Sequence, residues 1–269
     1  MSPATPGAPL AAPRELVAPA AWRTIDFVSD LHLAADTPRT VDAFAAYLAS
    51  TAADAVLILG DLFEVWVGDD AREGEFEGRC VALLAAAARR CAVGYMVGNR
   101  DFLAGAALRA SAGLFELRDP TLLVAFGRRV LLSHGDALCL DDVDYQRFRA
   151  EVRGAAWQAD FLARSLADRR ALARGLRDAS EQRKRQLDAG AWPDLDVPAT
   201  LRCLDAAGAA VLVHGHTHRP RSEALAAGRV RHVLSDWDLD HEAPRAEVLR
   251  LDERGFVRLA PTRAGPRTA

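Results

Sequence analysis

Residues 55–61 read Ala-Val-Leu-Ile-Leu-Gly-Asp. Five consecutive apolar residues without polar alternation fit a short strand buried on both faces, as in parallel sheets covered by helices. The run breaks at Gly60, where the chain can turn sharply, and presents Asp61 beyond the strand end. The same form recurs on both sides. Residues 24–29 (TIDFVS) run into Asp30-Leu31-His32, and residues 92–97 (AVGYMV) into Gly98-Asn99. Residues 122–125 and 129–133 flank Gly127 as a hairpin and end at His134. Residues 210–213 run into His214-Gly215-His216-Thr217-His218, and residues 230–234 and 246–251 are also strand-like. Helical spacing occupies residues 41–48 and 80–88, with a short helix expected over 103–110. Strands alternate with helices early and dominate late, which predicts a layered α/β fold. Each polar cluster lies at a carboxyl strand end, where open α/β sheets build their sites.

The 269 residues are 50% hydrophobic and 26% charged, with a formal charge of −3. No global basic field argues for nucleic acid as a partner. Cys80, Cys91, Cys139 and Cys203 form no CxxC pair and read as free thiols. Residues 1–21, interrupted by Pro3, Pro6, Pro9 and Pro13, lack the basic start and apolar run of a signal peptide and read as a disordered tail. Residues 263–269 read as a second tail, leaving one domain over 22–262. No stretch approaches the length of a membrane span.

One segment breaks the alternation. Residues 142–188 show no strand, while Tyr145, Phe148 and Val152, then Trp157 and Phe161, then Leu172 and Leu176, have helical spacing. Between Arg147 and Arg185 there are eleven basic residues against five acidic. Either this is an amphipathic helical insertion with a function of its own, or a helix pair packed on the core with a solvated charged face.

The strand ends carry the chemistry. In Asp30-Leu31-His32 the alternation of a strand puts carboxylate and imidazole on one side, able to grip one ion. Asp61, with two oxygens, can bridge two cations. Asn99 offers a neutral amide oxygen, and Arg100 beside it a permanent positive fork suited to phosphate oxygens. His134 in Ser-His-Gly-Asp, and the three imidazoles of His-Gly-His-Thr-His, complete the set. Five of the seven histidines fall in these motifs. Mixed oxygen and nitrogen donors suit Mn²⁺, Fe²⁺ or Zn²⁺ better than Ca²⁺ or a cysteine-rich structural zinc. Together the motifs predict two divalent metal ions.

Read in order, these motifs resemble the calcineurin-like metallophosphoesterases. That resemblance implies an αββα sandwich of two mixed β-sheets flanked by helices. It implies that Asp30, His32 and His218 hold one metal, that Asn99, His134 and His216 hold the other, and that Asp61 bridges them. The runs FVSDLHL, ILGDLFEVWVGDD, GNRDFL, SHGDALCLDDVDYQRFR and HGHTHRP are more specific. Over residues 24–259 they resemble the UDP-2,3-diacylglucosamine pyrophosphohydrolases of lipid A synthesis.

What that family implies is concrete. UDP-2,3-diacylglucosamine is cleaved to UMP and 2,3-diacylglucosamine 1-phosphate (lipid X) by a two-metal-activated hydroxide attacking the α-phosphorus. Manganese is the foremost metal, with Fe²⁺, Zn²⁺ or Mg²⁺ as alternatives. Asp61, Arg100 and His216 would be catalytic. Asn99, Arg100, Asp142, Ser180, Arg183, Lys184 and His216 would contact substrate. The insertion, about 142–190, would be a helical cap that binds acyl chains. Asp136 would orient a ligand histidine, and His214 would be structural. Leu187 stands where family members commonly carry a lysine, so the cap contacts depart from the pattern there. A substrate held in a bilayer implies a cytoplasmic protein, peripheral on the anionic inner-membrane face. The alternative is a phosphoesterase of the same scaffold acting on another nucleotide or phosphoester.

Overall fold

The computed structural model describes residues 11–186 and 193–261, with side chains except those of 178–186. The elements are β1 (Arg14–Val17), β2 (Ile25–Val28), α1 (Pro38–Ser50), β3 (Ala55–Leu59), α2 (Glu75–Ala88), β4 (Ala92–Met96), α3 (Ala106–Ala112), β5 (Phe115–Glu116), β6 (Thr121–Ala125) and β7 (Arg128–Ser133). There follow α4 (Val143–Val152), α5 (Ala155–Leu162), α6 (Leu166–Gln186), α7 (Val197–Ala207), β8 (Val211–His214), β9 (Arg221–Ala224), β10 (Val230–Val233), β11 (Val248–Asp252) and β12 (Gly255–Leu259). They form two six-stranded sheets, ordered β1-β6-β7-β8-β10-β9 and β12-β11-β2-β3-β4-β5.

Side-chain alternation explains the layers. In β3, Val56 and Ile58 pack with Phe44, Leu84 and Leu108 of the helices on one side. Leu57 and Leu59 point the other way, onto Leu123, Leu132 and Val213 of the facing sheet. The outer face of that sheet, at Leu131 and Leu212, is covered by Leu204 of α7. Each layer therefore has apolar residues on both faces, the αββα sandwich expected. Phe126 (φ 51°) and Gly127 (φ 70°) make the two-residue turn of the β6–β7 hairpin, with the paired positive φ angles that match strand twist.

The proposed tail over 1–21 is too long. Residues 14–17 form β1, paired in parallel with residues 121–124 of β6. This edge strand is held through backbone bonds more than by side-chain burial, so prolines and alanines around it masked it. Residues 1–10 and 263–269 lie outside the described residues.

The described part of the insertion is three helices, α4 to α6, joined by short turns, and it is anchored at several points. Asp136, fully buried, accepts from Tyr145 Oη at 2.6 Å and Arg149 Nε at 2.8 Å, both on α4. Arg153, at the end of α4, donates to Gly98 O at 2.9 Å. On α6, Arg169 donates to Val67 O at 2.6 Å, and Arg170 Nη2 lies 2.8 Å from Glu77.

Candidate metal centre

The pairing of β2 with β3 does not stop at the strand ends. Asp30 N–H donates to Gly60 O, His32 N–H to Asp61 O, Leu33 N–H to Leu62 O and Glu64 N–H to Leu33 O, each at 3.0–3.1 Å. Two ligand loops thus travel as an irregular extension of the sheet. The irregularity lies in the dihedral angles. Asp30, His32, Asp61, His216 and His218 all have φ between 47° and 68°. Left-handed backbone is uncommon outside glycine and clusters where geometry is functional. Here Asp30 and His32 reach the nest while Leu31 between them packs in the apolar core. Two glycines allow the loops to close: a Cβ on Gly98 would collide with Asp61 Oδ1, and one on Gly215 with Asp30 Oδ2.

All seven expected ligands converge. Asp30, His32 and His218 each offer an atom within 4.8 Å of the others, as do Asp30, Asp61 and His134. His32 Nε2 faces His218 Nε2 at 3.2 Å. Asn99 Oδ1 lies 2.9 Å from His134 Nε2 and 2.8 Å from His216 Nδ1. His134 Nε2 is 3.7 Å from Asp61 Oδ1. Asp30 belongs to both groups, whereas Asp61, the expected bridge, belongs to the second.

The electrostatics favour a cation. Burial would raise Asp30, but His218, His134 and His32 around it prevail and hold it well below the carboxylate range. Burial would lower His134, yet Asp61, Asp30 and Asp136 push it up to about 9. A field that draws a proton onto a fully buried imidazole also draws a metal ion, which would take the proton's place on the ring nitrogen. His216 moves oppositely: burial and the charge of His134 push it down to about 3, leaving its nitrogen as a donor to metal. Hard oxygen with imidazole nitrogen is the donor set for Mn²⁺, Fe²⁺ or Zn²⁺, so the residues fit two divalent ions.

Supporting groups orient the ligands. Asp30 accepts from Ser29 Oγ at 2.5 Å and from His216 N–H at 2.9 Å. His134 Nδ1 meets Leu59 O at 2.9 Å, which turns Nε2 into the nest. His218 Nδ1 is 3.4 Å from Asp236 Oδ2. Asp101, fully buried, accepts from Leu62 N–H and Gly98 N–H, both at 2.7 Å, stapling two ligand loops together. Burial and the nearby Asp61 raise it to about 6. His214 is buried, with Nδ1 2.8 Å from Gly215 O, and burial lowers it to about 4, in line with a structural part.

Asp136 corrects an expectation. It does not touch a ligand histidine, which uses Leu59 O instead; its partners are the cap groups Tyr145, Arg149 and Arg153. Glu64 was missed. The carboxylate in GDLFE lies 2.9 Å from His32 Nδ1, 3.2 Å from Arg100 Nη1 and 3.1 Å from Arg177 Nε. Its sequence signal was a lone charge among Phe63, Val65 and Trp66.

A cavity of about 960 Å³ opens over the nest. His32, Asp61, Asn99, Arg100, His216 and His218 line its polar end. Phe102, Phe148, Trp157, Phe161 and Leu176 line its apolar part, mostly from the cap. Trp157 stacks on Phe161 with centroids 4.8 Å apart. Asp142 also lines the cavity, and it caps α4 by accepting from Tyr145 N–H at 3.1 Å. Ser180, Arg183 and Lys184 fall on the distal part of α6, and their side chains, like Leu187, lie outside the described residues.

Two convergent ligand groups at the edge of an αββα sandwich define a class, the metal-dependent phosphoesterases. The profile of the calcineurin-like phosphoesterase family matches residues 23–220, and the chain belongs to that family as a metal-dependent hydrolase. Within it, the chain is 44% identical over 236 residues to the UDP-2,3-diacylglucosamine hydrolase of Chromobacterium violaceum, covering 86% of this chain and 96% of the relative. It is 43% identical to the protein of that name from Bordetella pertussis, covering 85% and 91%. The one from Stenotrophomonas maltophilia is 40% identical, covering 86% and 95%.

Proposed function

We propose that the chain hydrolyses the pyrophosphate bond of UDP-2,3-diacylglucosamine, releasing UMP and 2,3-diacylglucosamine 1-phosphate in lipid A synthesis. The observation that carries this is the single cavity with two chemistries, ionic at one end and aromatic at the other. A nucleotide diphosphate joined to acyl chains matches it; a small soluble phosphoester would leave the apolar part in water. The names of the relatives support the same substrate.

In this reading Asp30, His32 and His218 would hold one divalent ion, Asn99, His134 and His216 the other, and Asp61 would serve both, with Mn²⁺ the expected metal. Two such ions supply a water of lowered pKa and neutralise charge on the phosphoryl oxygens. The protein's own part is positioning and electrostatics, which dominate phosphoryl transfer. The Arg100 backbone N–H donates to Asp61 Oδ1 at 2.8 Å, which fixes its main chain beside that carboxylate, while its guanidinium, with Nη1 3.2 Å from Glu64 Oε1, lines the same cavity and can stabilise developing charge. Asn99 and His216 face the cavity next to it and can meet the phosphate. Asp142 stands on the cap side as a hydrogen-bond acceptor for the nucleotide or sugar. Ser180, Arg183 and Lys184 of α6 are proposed as further contacts.

The cap is also the proposed membrane contact. Val143, Phe148, Leu162, Leu172 and Leu176 are exposed apolar residues on its helices, interspersed with arginines. Such a surface favours anionic bilayers, here the cytoplasmic face of the inner membrane. Among the described residues no helix is long and apolar enough to cross a membrane.

The test compares the Mn²⁺-loaded protein on UDP-2,3-diacylglucosamine and on the unacylated UDP-sugar. The acylated compound should be turned over with far higher kcat/KM. Equal rates, or faster turnover of a simple nucleotide, would sink the lipid reading.

A further inference from the structure

We infer that Glu64 is a positioning residue, whose one carboxylate sets His32, Arg100 and cap helix α6 in register over the metal nest. The inference rests on the metal centre and substrate cavity proposed above. Its two oxygens divide the task. Oε2 lies 2.9 Å from His32 Nδ1, while Oε1 lies 3.2 Å from Arg100 Nη1 and 3.1 Å from Arg177 Nε. The side chain is only 12% exposed. Its backbone is fixed as well, because Glu64 N–H donates to Leu33 O in the extension of the β2–β3 ladder.

Each arm has a consequence. A carboxylate charge 2.9 Å from Nδ1 favours the imidazole proton on that nitrogen, which frees His32 Nε2, aimed at His218 Nε2 and Asp30, to meet a metal. The Arg100 arm holds a guanidinium at the cavity floor. The Arg177 arm draws α6 down onto the same point. The carboxylate thus lies between an imidazole and two guanidiniums, all within 3.2 Å of its oxygens. Without that charge two guanidiniums would face each other across the cavity wall. Glu64 belongs to neither group of convergent metal donors, which leaves positioning as its role.

The arms can be separated by experiment. Titration with Mn²⁺ alone, followed calorimetrically, reads the His32 arm without any substrate. Glu64→Ala should weaken Mn²⁺ binding about 10- to 100-fold, the usual effect of removing a partner behind a ligand histidine. Glu64→Gln, which keeps an acceptor but no charge, should retain most of the affinity. Arg177→Ala should leave Mn²⁺ affinity intact and raise KM for the acylated substrate, whereas Glu64→Ala should change both. Unfolding midpoints in EDTA establish that each variant is folded; should Glu64→Ala not fold, Glu64→Asp, with a carboxylate too short for both arms, carries the same readouts. Parental Mn²⁺ affinity with parental KM in a folded Glu64 variant would overturn the inference. A Mn²⁺ defect in a protein whose parent ignores the acylated substrate would uphold Glu64 and remove the substrate reading alone.

Discussion

Arg169 of α6, only 4% exposed, reaches back to the loop after β3 and donates from Nη1 to Asp70 Oδ1 at 2.9 Å. The same nitrogen donates to Val67 O at 2.6 Å. Asp69 beside it points the other way, accepting from Trp66 Nε1 and from the N–H groups of Gly105, Ala107 and Leu108 at the start of α3. The Gly-Asp-Asp run is thus a junction between the core and the cap. Gly68 (φ 127°) is required where it stands, since a Cβ there would strike Arg169 Nη1.

Arg169→Ala should therefore loosen α6 without touching the metals. Its expected signature is a higher KM for the acylated substrate with Mn²⁺ affinity unchanged, and faster limited proteolysis within the cap. Parental KM and parental cleavage would show that the junction does not govern the cavity.

Asp136 ties the cap at its other end. Removing it leaves Arg149, Arg153 and Tyr145 facing a buried space without their anion. Breaking such a pair costs on the order of 3–5 kcal/mol. Asp136→Ala should lower stability by that order in urea unfolding, more than any single arginine substitution on α4. A loss no larger than that of an exposed ion pair would contradict this anchoring role.

Much of this arrangement was legible in the sequence. Apolar runs such as residues 55–59 marked the central strands because two-sided burial removes polar alternation. The seven candidate ligands were readable because each follows such a run. What stayed hidden depends on long-range partners. Strand β1 (RELV) is recruited by backbone pairing to β6 and carries no buried pattern of its own. Asp136 read as a ligand's helper, and Glu64 drew no reading at all. Their roles are set by Arg177, Arg149 and Arg153, up to 113 residues away in the case of Arg177 and Glu64, and no local spacing encodes that (177 − 64). The left-handed backbone at Asp30, His32, Asp61, His216 and His218 is equally invisible locally, since none of these is glycine.

Arg100→Ala should separate chemistry from metal binding. Its backbone contact to Asp61 survives the change, while the guanidinium beside the nest is lost. Removing one preorganised group of this kind lowers turnover by about 10²-fold or more. The variant should keep its full metal content by elemental analysis and lose kcat; unchanged kcat would take Arg100 out of the mechanism.

Chelation should be read in stability as well as in rate. The nest gathers buried carboxylates and imidazoles that a cation reconciles, so metal binds the folded state preferentially. At free Mn²⁺ about 100 times its Kd, that linkage stabilises by about 2.7 kcal/mol. EDTA should abolish activity and lower Tm, and Mn²⁺ should restore both. A Tm indifferent to Mn²⁺ would mean that the convergent ligands do not take up the ion.

His232 gives a pH dependence that is independent of the metals. Its Nδ1 lies 2.7 Å from Ser222 Oγ and its ring packs on Phe256 with centroids 4.4 Å apart. Burial, aided by Arg258, lowers it to about 4. The unfolded chain would protonate this histidine near its ordinary 6.5. Between those values the unfolded state binds the extra proton, so stability must rise with pH. The contribution is complete above pH 6.5 and is lost as pH falls toward 4. His232→Gln should flatten that part of the stability curve relative to the parent, measured by urea unfolding in EDTA, where metal binding no longer contributes and the freed ligands titrate alike in both proteins. A slope unchanged from the parent would show that His232 is not the group responsible.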